Sequence, residues 1–191
     1  MKIFKFLQVK FIVLFEYIIS GFLVGTLVGL TGVGGGSLMT PLLVLFFKFP
    51  TAVAVGTDLL YAAITKSAGA ISHHKLGNVD WKIVKNLLFG SLPASYLVTH
   101  HLKEIDLYSL QNVEIINTSL GIALFLTSIA VLFQPIIVKK SVKQKLKTNL
   151  NISILTIILG FFLGVVVTLT SVGAGAIGVT ALLLLYPKLQ I

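Results

Sequence analysis

The sequence predicts an all-α fold, a polytopic integral membrane helix bundle with an internal repeat and helices broken by glycine. Three observations lead there. Of 191 residues, 56% are hydrophobic and only 11% charged, whereas a soluble domain carries about a quarter charged residues to cover its surface. The charges are also segregated into short lysine-bearing loops between long apolar runs, where an amphipathic soluble helix would mix both kinds within each turn. Finally, the apolar runs have membrane length. A bilayer core takes about 20 residues per helical crossing, and the windows 17–49 (interrupted by glycines after 31), 51–72, 82–102, 110–133 and 150–172 supply them. With no water to satisfy stray backbone groups, such windows must be helices.

Taken in order, residues 1–15 are a cytoplasmic N-terminal segment and the start of the first span, with Lys2, Lys5 and Lys10 ahead of an apolar run from Phe11. Glu16 interrupts that run, it outlasts a signal peptide's apolar core, and no small-x-small cleavage pattern follows, so an uncleaved span is expected. Residues 16–138 form the first transmembrane repeat, 139–149 a basic cytoplasmic loop, and 150–191 an incomplete second repeat. The net charge of +9 sits at span ends: Lys75, Lys82 and Lys85 flank one loop, and Lys139, Lys140, Lys143, Lys145 and Lys147 crowd another. That is the positive-inside pattern, and it argues against a nucleic-acid partner. If those loops and the N-terminus all face the cytoplasm, the crossings between them come in even numbers. The window 17–49 is then expected to cross once, as a discontinuous span: helix 17–31, a glycine-rich break, and a half-helix 38–49 ended by Pro50.

An internal repeat carries the next step. Shifted by 139 residues, GFLVGTLVGLTGVGGGSLMTPLLVLFF (21–47) falls on GFFLGVVVTLTSVGAGAIGVTALLLLY (160–186) without a gap, with 11 of 27 positions identical. The shared Gly-x3-Gly and T-x-V-G-x-G registers exceed what apolar bias produces, and repeated units of this kind mark many transporters. At the same offset, partners for 51–133 would lie beyond Ile191. The expectation is a truncated or split relative of a longer protein, either active with a second chain or second copy completing the missing half, or reduced to a membrane assembly partner or an inactive remnant.

The pattern GLTGVGGGSLMTPLL, then AVGTD, then His74-Lys75-Leu76-Gly77-Asn78-Val79-Asp80-Trp81, resembles the TauE/SafE family of sulfite and organosulfonate exporters. The segment TLTSVGAGAIGVTALLLLYPKL looks like that family's second repeat. The resemblance covers roughly 17–102 and 155–189. It implies transport of small anions, sulfur-containing ones above all, across the cytoplasmic membrane, with the lipid bilayer as the surrounding partner.

Candidate site residues follow from the breaks and from one acid. A helix interrupted inside a membrane leaves backbone N–H groups free at a positive dipole end, and glycine lets an anion approach them. Thr31, Gly32, Gly34, Gly35, Gly36 and Ser37 form the first such candidate, and Thr170, Ser171, Gly173 and Gly175 its repeat. With no arginine among the 15 basic residues, an anion must be held by lysine, hydroxyls or backbone, without a guanidinium fork. The spacings Gly21-x3-Gly25-x3-Gly29 and Gly160-x3-Gly164 are read as close-packing faces. Asp58, with Thr57 beside it, lies well inside an apolar helix, where a carboxylate costs about 2.5–3.5 kcal/mol and therefore faces a cavity or a partner. It is a candidate for carrying a coupling proton or for orienting the site. Lys66 lies about 12 Å further along the same helix, too far to pair directly but placed to add positive charge to an anion path. The pairs His73-His74 and His100-His101 lack metal-ligand spacing and read as interfacial. No cysteine is present, no cofactor or metal is expected, no catalytic arrangement stands out, and an enzyme is not expected.

Overall fold

A computed structural model describes the backbone of residues 2–31, 34–107, 109–141 and 151–186. The candidate Gly32 and most of the basic connection 139–149 lie outside the described residues. Those that are described form helices, with no strand among them. The elements are α1 (Lys2–Thr31), a 3-10 turn (Gly35–Ser37), α2 (Met39–Pro41) running into a π-helical turn (Leu42–Phe46), α3 (Thr51–Lys75), α4 (Trp81–Glu104), α5 (Leu110–Ser141), α6 (Ile152–Thr170) and α7 (Ala176–Leu185).

Local chemistry sets the boundaries. Pro50 has no N–H to lose and precedes α3 with φ −55° and ψ 137°, its carbonyl accepting from Ala54 N at 3.0 Å. Gly77, at φ 73°, turns the chain after α3, the left-handed position that glycine occupies without a Cβ penalty. Asp80 caps α4, its Oδ1 accepting from Lys82 N at 2.9 Å, and Asn151 caps α6 through Ser153 N at 3.1 Å. Each satisfies a backbone donor that the helix start leaves orphaned.

Three helices are long and apolar enough to cross a membrane by length and composition: Leu14–Thr31, Leu110–Gln134 and Ile152–Thr170. The windows 51–72 and 82–102 do form helices of 25 and 24 residues, α3 and α4. Their length suffices, but their polar and charged positions keep them out of that apolar group. A second difference concerns the first break. Helix, break and short helical segment follow one another as expected, but α1 begins at Lys2 and its stretch Leu14–Thr31 is by itself long and apolar enough to cross. The helical segment after it ends at Phe46 rather than continuing to 49. Both short apolar segments, Gly35–Phe46 and Ala176–Leu185, are too short to span a core of about 30 Å at 1.5 Å per residue.

The bundle is held most closely where α4 meets α6. A Cβ placed on Gly160 would lie 2.5 Å from the Leu87 carbonyl oxygen, and one on Gly164 2.7 Å from that of Ser91. Across the seam, Gly90 lies directly on the Ile157 carbonyl. Backbones that approach this closely exclude any larger residue, which is the packing logic of small residues in membrane helices. Thr168 Oγ1 donates to Ser95 Oγ at 2.9 Å across the same seam. Expected as a matching face, Gly21 and Gly29 instead have open space beside them, and Gly25 meets only the Tyr61 hydroxyl, 3.1 Å from where its Cβ would stand. The spacing is the same, but α1 packs little against the rest of the described chain, so no neighbouring backbone uses it. A small core of Leu120, Ala123 and Val172 joins α5 to the turn after α6, and Thr51 hydrogen-bonds Asn117 from α3 to α5.

Candidate functional site

The two glycine breaks meet in space. Gly34 (φ 98°) lies against Gly175, whose Cα would be 3.2 Å from a Cβ on Gly34. Gly36 packs directly on the Ser171 carbonyl, so closely that any side chain at 36 would enter it. Segments 135 or more residues apart are thus joined backbone to backbone, and only glycine permits that contact.

Asp58 stands at this junction. It is fully buried, and so is Thr40, whose Oγ1 donates to Asp58 Oδ2 at 2.9 Å. Gly35 and Gly36 line the carboxylate, with Cβ positions 3.6 Å from Oδ1 and 3.1 Å from Oδ2. The Ser171 side chain also lies beside it, yet Oδ1 has no hydrogen-bond partner among the described residues. The protein's own carboxylate therefore occupies the backbone position where the sequence suggests a bound anion.

The second break has its own stereochemistry. α6 ends at Ser171 in the left-handed region (φ 59°, ψ 0°), its N–H bonded to the Val167 carbonyl at 2.7 Å. Thr170 Oγ1 donates to the Val166 carbonyl at 2.7 Å and accepts from Val172 N at 3.1 Å, closing the helix end. Gly173 (φ 102°) accepts from Gly178 N at 2.9 Å and turns the chain into α7.

Lys66 lies in an open groove of about 380 Å³ between α3 and α6, lined by Leu59, Ala62, Ala63, Ser67, Val167 and Ser171 among others. Ser171 is shared between this groove and the Asp58 junction. The structure thus brings Gly34, Gly35, Gly36, Asp58, Ser171 and Gly175 together, with Lys66 one groove away. It does not bring Thr31 or Thr57 there. Their hydroxyls donate back to Leu27 and Val53 at 2.7 and 2.8 Å, and Thr57 lines a separate apolar cavity of about 300 Å³ with Tyr17, Phe47 and Phe49. Ser37 donates to the Gly34 carbonyl at 2.8 Å and stabilises the turn. Sequence reasoning missed Thr40 and Ser67. A threonine in an apolar segment commonly bonds its own helix, so Thr40 sends no distinguishing signal. Ser67 is marked only by adjoining Lys66.

The family model for the sulfite exporter TauE/SafE matches residues 17–191. The chain belongs to the TauE/SafE family. Among curated proteins, this TauE/SafE chain is similar to the probable membrane transporter protein YjnA of Bacillus subtilis (strain 168), 39% identical over 176 residues, which are 88% of this chain and 67% of YjnA. It is also similar to the probable membrane transporter protein YdhB of the same organism, 29% identical over 144 residues, 75% of this chain and 56% of YdhB. No solved structure matches it. Family and relatives place the TauE/SafE chain among membrane transporters, a class to which its apolar helices conform.

Proposed function

We propose that this chain transports small oxyanions, sulfite or organosulfonates among them, across the cytoplasmic membrane as a multi-pass protein bathed in lipid. The observation that carries this reading is the position of Lys66. If α3 crosses the membrane, a lysine within it normally has a functional reason to be there, and this one sits in an otherwise mostly apolar groove whose lining includes Ser67 and Ser171. An ammonium and hydroxyl donors are what an oxyanion needs where no guanidinium is available. Small side chains at Ala62, Ala63 and Ala70 leave room beside the lysine. The groove shares Ser171 with the glycine junction.

Flux measured in proteoliposomes with sulfite and a short alkyl sulfonate tests the reading. Lys66→Met keeps length and apolar stem but removes the charge, and is expected to lower anion flux at least about tenfold, the scale of one lost charged contact. Unchanged flux in that variant overturns Lys66 as the anion's partner. Absence of flux in the unaltered chain, correctly inserted, supports the second role expected from the sequence, a membrane assembly partner.

A further inference from the structure

We infer that the Asp58 junction is a sodium-ion site, formed by Asp58 Oδ1 together with the Ser171 hydroxyl and carbonyl and the Thr40 hydroxyl. This goes beyond the anion reading, and the site itself does not depend on it. The starting point is an orphan: a fully buried carboxylate oxygen with no hydrogen-bond partner among the described residues. Leaving such a group bare is costly. A proton at Oδ1 is the rival resolution, with Ser171 beside the carboxylate to accept from it, and the response to sodium at fixed pH separates the two. A cation resolves it by gathering the carboxylate, hydroxyl and carbonyl oxygens around one centre.

The donor set fits a hard monovalent ion. Every neighbour named is oxygen, which suits alkali and alkaline-earth ions over softer metals. Asp58 is the single carboxylate, and no cluster of three His, Cys, Asp or Glu exists among the described residues, so one positive charge is what the site balances. The end of α6 adds its negative dipole pole and the Ser171 carbonyl, packed on Gly36. Unwound carbonyls at helix ends are where transporters with broken helices hold coupling ions.

Ser171 supplies an independent argument. Its φ of 59° is the conformation that glycine adopts at little cost and other L-residues adopt only under strain, and the repeat has Gly32 at the equivalent position. A serine held there against backbone preference is retained for its hydroxyl. Ser171 bonds the carboxylate through its side chain and is also among the residues lining the Lys66 groove. Sodium at Asp58 cancels a negative charge about 12 Å from the ammonium. At an effective dielectric of about 20, that favours an anion at Lys66 by about tenfold. By linkage the anion favours sodium equally.

The experiment is thermal unfolding of the full purified chain in detergent at fixed pH and ionic strength, with sodium or choline chloride and no transported anion. Sodium is expected to raise the unfolding temperature saturably, and choline to have no effect. Ser171→Gly relieves the backbone and removes the hydroxyl, so it should unfold no lower than the parent in choline while needing about tenfold more sodium for the same shift. Lys66→Met should retain the sodium response. An unfolding temperature indifferent to sodium, or a Ser171→Gly variant with the parent's sodium dependence, overturns the site. Lys66-dependent anion flux that persists in choline would leave the transport reading standing and remove the sodium one.

Discussion

Gly36 shows how much a single hydrogen atom decides in this chain. Its Cα rests on the Ser171 carbonyl, and the position of a Cβ is already taken by that backbone. A main-chain neighbour cannot rotate aside as a side chain would. Gly36→Ala is therefore expected to destabilise by about 1–3 kcal/mol, the cost of overpacking a closed site, read as a lowered midpoint in unfolding of the detergent-solubilised protein. Gly29→Ala is the matched control. Nothing stands within 4 Å of its Cβ position, and alanine favours the helix by about 1 kcal/mol over glycine, so its midpoint should hold or rise. A midpoint for Gly36→Ala equal to the control would show that the two breaks are not in contact. At this scale the sequence speaks unevenly. Asp58 is legible because a carboxylate among apolar neighbours is expensive wherever it points. Thr40, its hydrogen-bond partner 18 residues away, is not, because threonine is cheap in a helix and announces no partner.

The helices α4 and α6 carry the same lesson one level up. Gly160 and Gly164 are spaced one turn apart, which tells the reader that a backbone can come close but not which one arrives. The structure answers with Leu87 and Ser91 of α4, at 2.5 and 2.7 Å from the two Cβ positions, while Gly21, Gly25 and Gly29 carry the identical spacing on α1 with no neighbouring backbone beside them. Local periodicity encodes permission, and tertiary packing decides its use. Gly164→Leu is accordingly expected to separate α4 from α6 and expose both to protease in detergent micelles, whereas Gly21→Leu should leave the digestion pattern unchanged. Equal protection in the two variants would refute the seam. The break after α1 was foreseeable from Gly34, Gly35 and Gly36, which disfavour a regular helix. The helix end at Thr31 was legible in the same glycines, whereas the start of α1 at Lys2 was not, since the lysines there read as a basic segment ahead of the span.

For the whole molecule, a complete α1 changes how the lysines constrain the topology. If Gly35–Phe46 does not cross and α3 and α4, which have the length but not the apolar composition, do, the crossings between the basic N-terminus and the basic loop at Lys75–Lys82 are α1 and α3. Two is an even number, so both basic segments face the same side without splitting a helix. α4 and α5 then return the chain to the same side before Asn151, and α6 runs parallel to α1. That arrangement brings the ends of α1 and α6 to one face of the membrane, in keeping with the contact between Gly34 and Gly175. The chain contains no cysteine, so single cysteines report on topology without background. Asn78→Cys, in the turn between α3 and α4, and Asn151→Cys, ahead of α6, are expected to react with an impermeant maleimide only when the cytoplasmic face is opened. Leu107→Cys, between α4 and α5, should react in intact cells. Labelling of residues 78 and 107 from the same side would mean that α4 does not cross. The parallel placement of α1 and α6 would then lose its basis, since it rests on an even number of crossings between the two breaks.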